Sequence, residues 1–150
     1  MNMTIEIGGK DMEFRASAAT SILFKKTFGK DLMSEFSSYV KHYKEVKQLK
    51  DDCNINDDDT DEVKAQKATV LVDNPIISEL SIMAMDLFPK LAYIMWLEAN
   101  EEQRELFKKL NENDFILWLG QLDSNDIKEH LHDFMSLWNG NSKTTVKLKN

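Results

Sequence analysis

The residues best equipped for chemistry sit together in an acidic run at positions 51–62, DDCNINDDDTDE, which holds seven acids and no base. Asp52, Asn54 and Asn56 occupy the first, third and fifth places of a calcium-loop pattern. The sixth place, where glycine makes the turn, is Asp57, and the twelfth, where a bidentate glutamate belongs, is Val63. A run of like charges repels itself and cannot be buried, so 51–62 reads as a flexible, solvated surface loop. It accounts for the whole net charge of −7, so the rest of the chain is balanced.

The other candidates are weaker. His130 and His132 are two residues apart, and on a helix such positions point about 200° away from each other, so one ion cannot bridge them. His42 has no Cys or acid at ligand spacing. Cys53 lies among acids, which disfavour a thiolate nucleophile. The sequence contains no nucleophile elbow, phosphate-binding loop or dinucleotide glycine fingerprint. Lys41, Lys44, Lys47 and Lys50 could meet phosphates, but the acidic chain opposes that and they read as a solvated helix face. The expectation is therefore no catalytic residue, no metal, no cofactor and no nucleic-acid partner.

The elements that must carry these residues are mainly helical. A chain of 150 residues, 42% apolar, suits one domain with a true core. Two prolines and five glycines favour regular elements, and a single cysteine excludes an internal disulfide framework. The start, MNMTIEIGG, lacks the charged and apolar regions of a signal peptide. The most apolar stretch, 76–97, is interrupted by Glu79, Asp86, Pro89 and Lys90, and reads as a buried helix, not a membrane span.

Residues 3–15 read as a β-hairpin turning at Gly8-Gly9, a pair suited to positive φ. If Ile7 pairs with Lys10, then Ile5 meets Met12 and Met3 meets Phe14, gathering the apolar residues on one face. A short helix over 16–28 should end at Gly29. A second, from Asp31, carries Leu32, Phe36, Tyr39, Tyr43 and Val46 as one stripe. Residues 64–73 fit strand or helix equally. Asn74-Pro75 caps the next helix, with a kink or break expected at Pro89 because proline cannot bond the Met85 carbonyl. Asn100 to Gln103 resembles a capping box opening a short helix to Leu110. Residues 115–122 form another short helix. The last begins at Asp123-Ser124, buries Ile127, Leu131, Phe134, Met135 and Trp138, and closes at Asn139-Gly140. The expected architecture is one mainly α (α+β) domain over 1–140, a hairpin on five or six short helices, followed by a disordered basic tail at 141–150.

Eight methionines and eleven Phe or Trp residues remain, many in short helices. They either fill the core or form adaptable binding surfaces. Three stretches, MTIEIGGKDMEFRASAATSILFKKTFGKDL, LAYIMWLEAN and FILWLGQLDSNDIKEHLHDFMSLWNGNSKTTVKLKN, cover about half the chain. On these the sequence resembles the tail assembly chaperones of long-tailed bacteriophages and prophages of Gram-positive hosts. The resemblance implies a non-enzymatic factor of the bacterial host cytoplasm, absent from the finished virion. It implies that the protein coats the tape measure protein, keeps it soluble and recruits tail tube subunits. It also implies a frameshift-extended form of the same chain, diverging near the basic tail. A membrane partner is not expected. Apolar grooves between short helices would accept amphipathic helices. Surface-exposed members of the set Met83, Leu87, Phe88, Tyr93, Trp96, Leu131, Phe134, Met135 and Trp138 are the expected partner-binding residues. A virion structural or head–tail adaptor protein is the alternative.

Overall fold

The structure, a computed structural model, describes residues 1–142. Its element order is β1 (Asn2–Ile7), β2 (Lys10–Arg15), α1 (Thr20–Phe28), α2 (Leu32–Cys53), α3 (Asp61–Val72), α4 (Pro75–Asn100), α5 (Gln103–Lys108), α6 (Glu112–Leu119) and α7 (Ser124–Ser142). The fold is the expected hairpin on a helical assembly, with seven helices among the described residues instead of five or six.

The hairpin has the expected register: Ile7 opposes Lys10, Ile5 opposes Met12 and Met3 opposes Phe14. Gly8 and Gly9 take φ of 60° and 80°, as a two-residue turn with two left-handed positions requires. Ile5, Ile7 and Phe14 are buried, with β2 laid on α4 and β1 on α7. Phe14 packs on Phe134 with ring centroids 5.1 Å apart.

The core is organised by the second half of α4. Leu87, Phe88, Leu91, Ala92, Tyr93, Ile94, Met95 and Leu97 are all buried, and this segment is apolar on nearly every side. Its cover comes from β2, α1, α2, α6 and α7. Phe28 meets Phe115 edge-on at 5.2 Å, and Tyr39 meets Phe88 at 4.9 Å. By length and composition α4 is apolar enough to cross a membrane; here its second half is enclosed by the fold.

Polar bonds pin the ends of the elements to this segment. Asn100, at the end of α4, donates through Nδ2 to the Glu13 carbonyl of β2 (2.8 Å) and to the Trp96 carbonyl (2.9 Å). The Glu98 carboxylate accepts from the Ser17 hydroxyl and from Thr20 Oγ1 (2.6 Å), tying α4 to the start of α1. Burial pushes the Glu98 carboxyl above its ordinary range, against the opposing effect of those two hydroxyl bonds and of Arg15.

Several expectations are corrected. The acidic run is not one loop: 51–53 complete α2, 54–60 turn, and Asp61 with Glu62 open α3, where the positive end of the helix dipole favours acids. The ambiguous 64–73 segment is helical, capped by Thr60, which accepts from the Val63 N–H. The helix α4 runs without interruption through Pro89, which lies buried in the core. One missing backbone bond is outweighed there by apolar burial on all sides. No capping box forms at Asn100, because that residue still belongs to α4; Glu102 takes the N-cap place of α5 without a side-chain bond. The 16–28 helix starts only at Thr20, after a turn in which the Ser17 hydroxyl oxygen accepts from the Ala19 N–H. The last helix passes Gly140 and ends at Ser142, so the first two residues of the supposed tail are helical. The expectation of disorder for the remainder falls on 143–150, outside the described residues.

Two outcomes test this core. Phe14→Ala is expected to destabilise the protein by about 3–5 kcal/mol, the cost of an aromatic-sized cavity, measured by chemical unfolding. For Glu98, the folded state holds its proton to higher pH than the unfolded chain does. Its contribution to stability is therefore lost as pH rises from the ordinary carboxyl range through the raised value. Glu98→Gln should remove that loss: the melting-temperature difference, variant minus wild type, should climb as pH rises above the ordinary carboxyl range. A flat difference would show that Glu98 titrates normally.

Candidate interaction surface

Helices α2 and α4 are both longer than the core they help to cover, and α3 bridges their free ends. The principal neighbours of α3 are α2 and α4. The second half of α2, all of α3 and the first half of α4 thus form a three-helix arm. Among the described residues from 40 to 86, only Val46 is buried. The stripe on α2 divides accordingly. Leu32 is buried and Phe36 stacks edge-on against Trp138 at 4.8 Å, whereas Tyr43, further out, is 52% exposed.

The arm is apolar without being covered. Ile82 is 68% exposed and Val70 59% exposed. Ile76, Ile77, Leu80, Met83 and Met85 are half-buried. The apolar residues of α3 do not gather on one side, so the helix cannot hide them all against its neighbours. A second, smaller exposed group lies at the other end of the chain's helices, with Phe107, Ile116 and Leu117 on α5 and α6.

The residues with chemical potential serve the arm and its edges. Lys67 Nζ of α3 sits 2.8 Å from both the Asn54 carbonyl and Asp59 Oδ2, clasping the 54–60 turn. Bonds from the Lys67 side chain and the Asn56 backbone keep the Asp59 carboxyl below its usual range. Asn54 itself, at φ 48°, ends α2 in the left-handed region. The Cys53 thiol is half-buried, 3.6 Å from the Lys67 carbonyl. His42 bonds the Ser38 carbonyl through Nδ1 (3.0 Å) and faces Glu79 across α2 and α4 at 3.7 Å. His130 pairs with Asp133 at 2.8 Å. Among the described residues no three His, Cys, Asp or Glu side chains converge as metal ligands would.

Tyr93, Trp96 and Trp118 form an aromatic cluster, with Trp96 and Trp118 centroids 5.7 Å apart. Burial, followed by the charges of Asp114 and Glu101, pushes the Tyr93 hydroxyl up to about 12; it donates to the Lys109 carbonyl at 2.8 Å. The Trp118 indole N–H is buried without an acceptor among the described residues.

The nine residues expected at a partner surface separate into two groups. Leu87, Phe88, Tyr93, Phe134 and Trp138 are core residues that no partner can touch in this conformation. Met83, Trp96, Leu131 and Met135 are half-buried and remain accessible. Helical periodicity marks a side chain as apolar; it does not say which half of a long helix acquires neighbours. Ile82, Val70 and Tyr43 were missed for that reason. The only available signal was that α4 is apolar almost all round, apart from the charged positions Glu79, Asp86 and Lys90.

No protein-family model, curated protein or solved structure matches this chain.

Sparse burial makes the arm the least stable part of the described fold. Amide hydrogen exchange should run faster by about tenfold or more in 61–82 than in 87–97, through local opening of the arm. Equal protection in the two segments would show that the arm and core unfold as one unit.

Proposed function

We propose that this protein is a non-enzymatic, protein-binding assembly factor, and specifically a phage tail assembly chaperone that holds the tape measure protein in soluble form. The observation that carries the reading is the uncovered apolar arm, where Ile82 and Val70 stand in solvent beside half-buried Met83 and Met85. Exposed apolar surface on a folded protein marks contact with other macromolecules. Methionine suits a surface that must repack around varied helical segments. The sequence resemblance on 3–32, 91–100 and 115–150 supplies the client. Tail tube subunits and a frameshift-extended form of the chain are the further partners that this reading brings, with action in the host cytoplasm before the particle is complete.

The contact residues proposed on the arm are Tyr43, Val70, Ile82 and Met83, with Trp96, Leu131 and Met135 as accessible positions on the body. The exposed apolar residues of the arm share it with charged ones, including Lys41, Lys44 and Lys47 on α2, a mixture that suits contact with an amphipathic helix. The alternative, a structural or head–tail adaptor protein, predicts a copy of this chain in purified particles.

Co-expression with the tape measure protein tests the reading. A soluble complex with several copies of this chain per client is the expected result. Ile82→Glu and Val70→Glu should each weaken capture while changing stability by no more than about 0.5 kcal/mol, because both side chains already stand in water. An insoluble client in the presence of this protein, or unchanged capture by both variants, would overturn the assignment.

A further inference from the structure

The hairpin has two strands, and among the described residues no further strand lies on the outer side of β1. Met1 and Ala16 exchange backbone bonds of 2.9 and 3.1 Å, extending the ladder one rung beyond Asn2. A two-residue turn makes Ile7 and Lys10 a hydrogen-bonded pair, and bonded pairs then alternate along the strand. The backbone groups of Ile5 and Met3 therefore face β2. Those of Thr4 and Glu6 point outward, without a backbone partner among the described residues, and both side chains are exposed. The outer side of β2 is engaged instead, where the Glu13 carbonyl accepts from Asn100 Nδ2.

Beside the β1 edge runs an open groove of about 510 Å³, walled on its far side by α7. A Cβ on Gly8 would lie 3.5 Å from Asp126 Oδ2, and one on Gly140 would lie 3.3 Å from Met1 Sδ. Strand and helix thus run side by side in opposite directions. Their lengths agree: Met1 to Gly8 covers about 23 Å of strand, and Asp126 to Gly140 about 21 Å of helix. The groove is lined by Glu6 from the strand and by Asp126, His130 and Asp133 from the helix. His130 Nδ1 lies 2.8 Å from Asp133 Oδ2. Among the described residues no lysine or arginine lines it.

An unpaired strand edge templates pairing with another extended segment, and backbone bonds alone do not choose which. Charge makes the choice here. The β1 edge of a second copy would bring its own Glu6, Asp126 and Asp133 into the seam, setting like charges together. A segment with lysine or arginine at alternate positions meets the same carboxylates with opposite sign. Asp126 and Asp133 stand about 10.5 Å apart along α7, the advance of roughly three residues of extended chain. Long basic side chains at alternate positions can reach both.

We propose that the outer edge of β1 accepts an extended basic segment of a partner protein as an added strand, with its cationic side chains against Glu6, Asp126 and Asp133. The outward backbone groups of Thr4 and Glu6 supply the pairing, and the groove acids select the sequence. This inference does not rest on the assembly role argued above, and none of the arm residues takes part in it.

The probe is a blocked six-residue peptide alternating lysine with valine, the length of β1, added to the full chain and followed by amide exchange. At saturation the Thr4 and Glu6 amides should gain about tenfold or more protection, while those of 87–97 keep theirs. Asp126→Asn/Asp133→Asn should weaken binding about tenfold. Thr4→Pro removes one outward N–H without touching the β1–β2 ladder and should weaken binding too, whereas Thr4→Val, which keeps that N–H, should not. Protection at 87–97 reports that each variant is folded. No gain at Thr4 and Glu6 would overturn the proposal. So would equal binding of the same peptide with its amides N-methylated, which would leave charge attraction without strand pairing. Protection of the two amides before any peptide is added would overturn it as well. Loss of that protection on dilution would assign the edge to a second copy, and persistence would assign it to the chain itself.

Discussion

Everything in this fold answers to the segment Leu87–Leu97 of α4. A helix apolar around its full circumference cannot rest on one neighbour; it must be enclosed. The hairpin covers one side through Phe14, α1 another through Phe24 and Phe28, and α2, α6 and α7 the remainder through Phe36, Phe115, Trp118 and Phe134. Aromatic pairs set at steep angles, such as Phe28 on Phe115 and Tyr39 on Phe88, fill the wedges between elements that meet at unlike inclinations. The polar contacts are few and placed where elements end. Asn100 ties α4 to β2 and Glu98 ties it to α1. Both sit just past the apolar stretch, so they position its cover without burying charge in its midst.

Legibility in the sequence followed the range of the forces involved. The hairpin was readable to the register because a period of two, a glycine pair and the matched residues Ile5, Ile7, Met12 and Phe14 all point to one pairing. The Asn74-Pro75 cap was readable for the same reason, since its bond to the Ile76 N–H is local. Misreadings arose where a distant contact outranked a local preference. Asn100 resembles an N-cap until β2 supplies the Glu13 carbonyl. Pro89 resembles a break until the core closes on both sides of it. The acidic run resembles a loop until Lys67, eight residues beyond Asp59, clasps it and the dipole of α3 draws in Asp61 and Glu62.

The candidate surface was the least legible part, and the reason is geometric. An apolar helix announces that it needs cover but not how far the cover extends. The same composition that buries Phe88 leaves Ile82, less than two turns away, in solvent. Residues chosen for the strength of their apolar pattern therefore fell largely into the core. The proposed contact residues emerged from exposure.

Helix α4 has a mechanical consequence. It spans 26 residues, about 39 Å at ~1.5 Å per residue, and crosses from arm to body with no interruption. Together with α2 it makes the arm a cantilever clamped inside the core. Such a beam has no joint about which to swing, so the arm can yield only by fraying at its tip, through α3 and the 54–60 turn. A load applied near Ile82 is carried as a bending moment to Leu87 and Phe88, where the burial of α4 begins. The tip of the arm is thereby held at a set distance and angle from the hairpin.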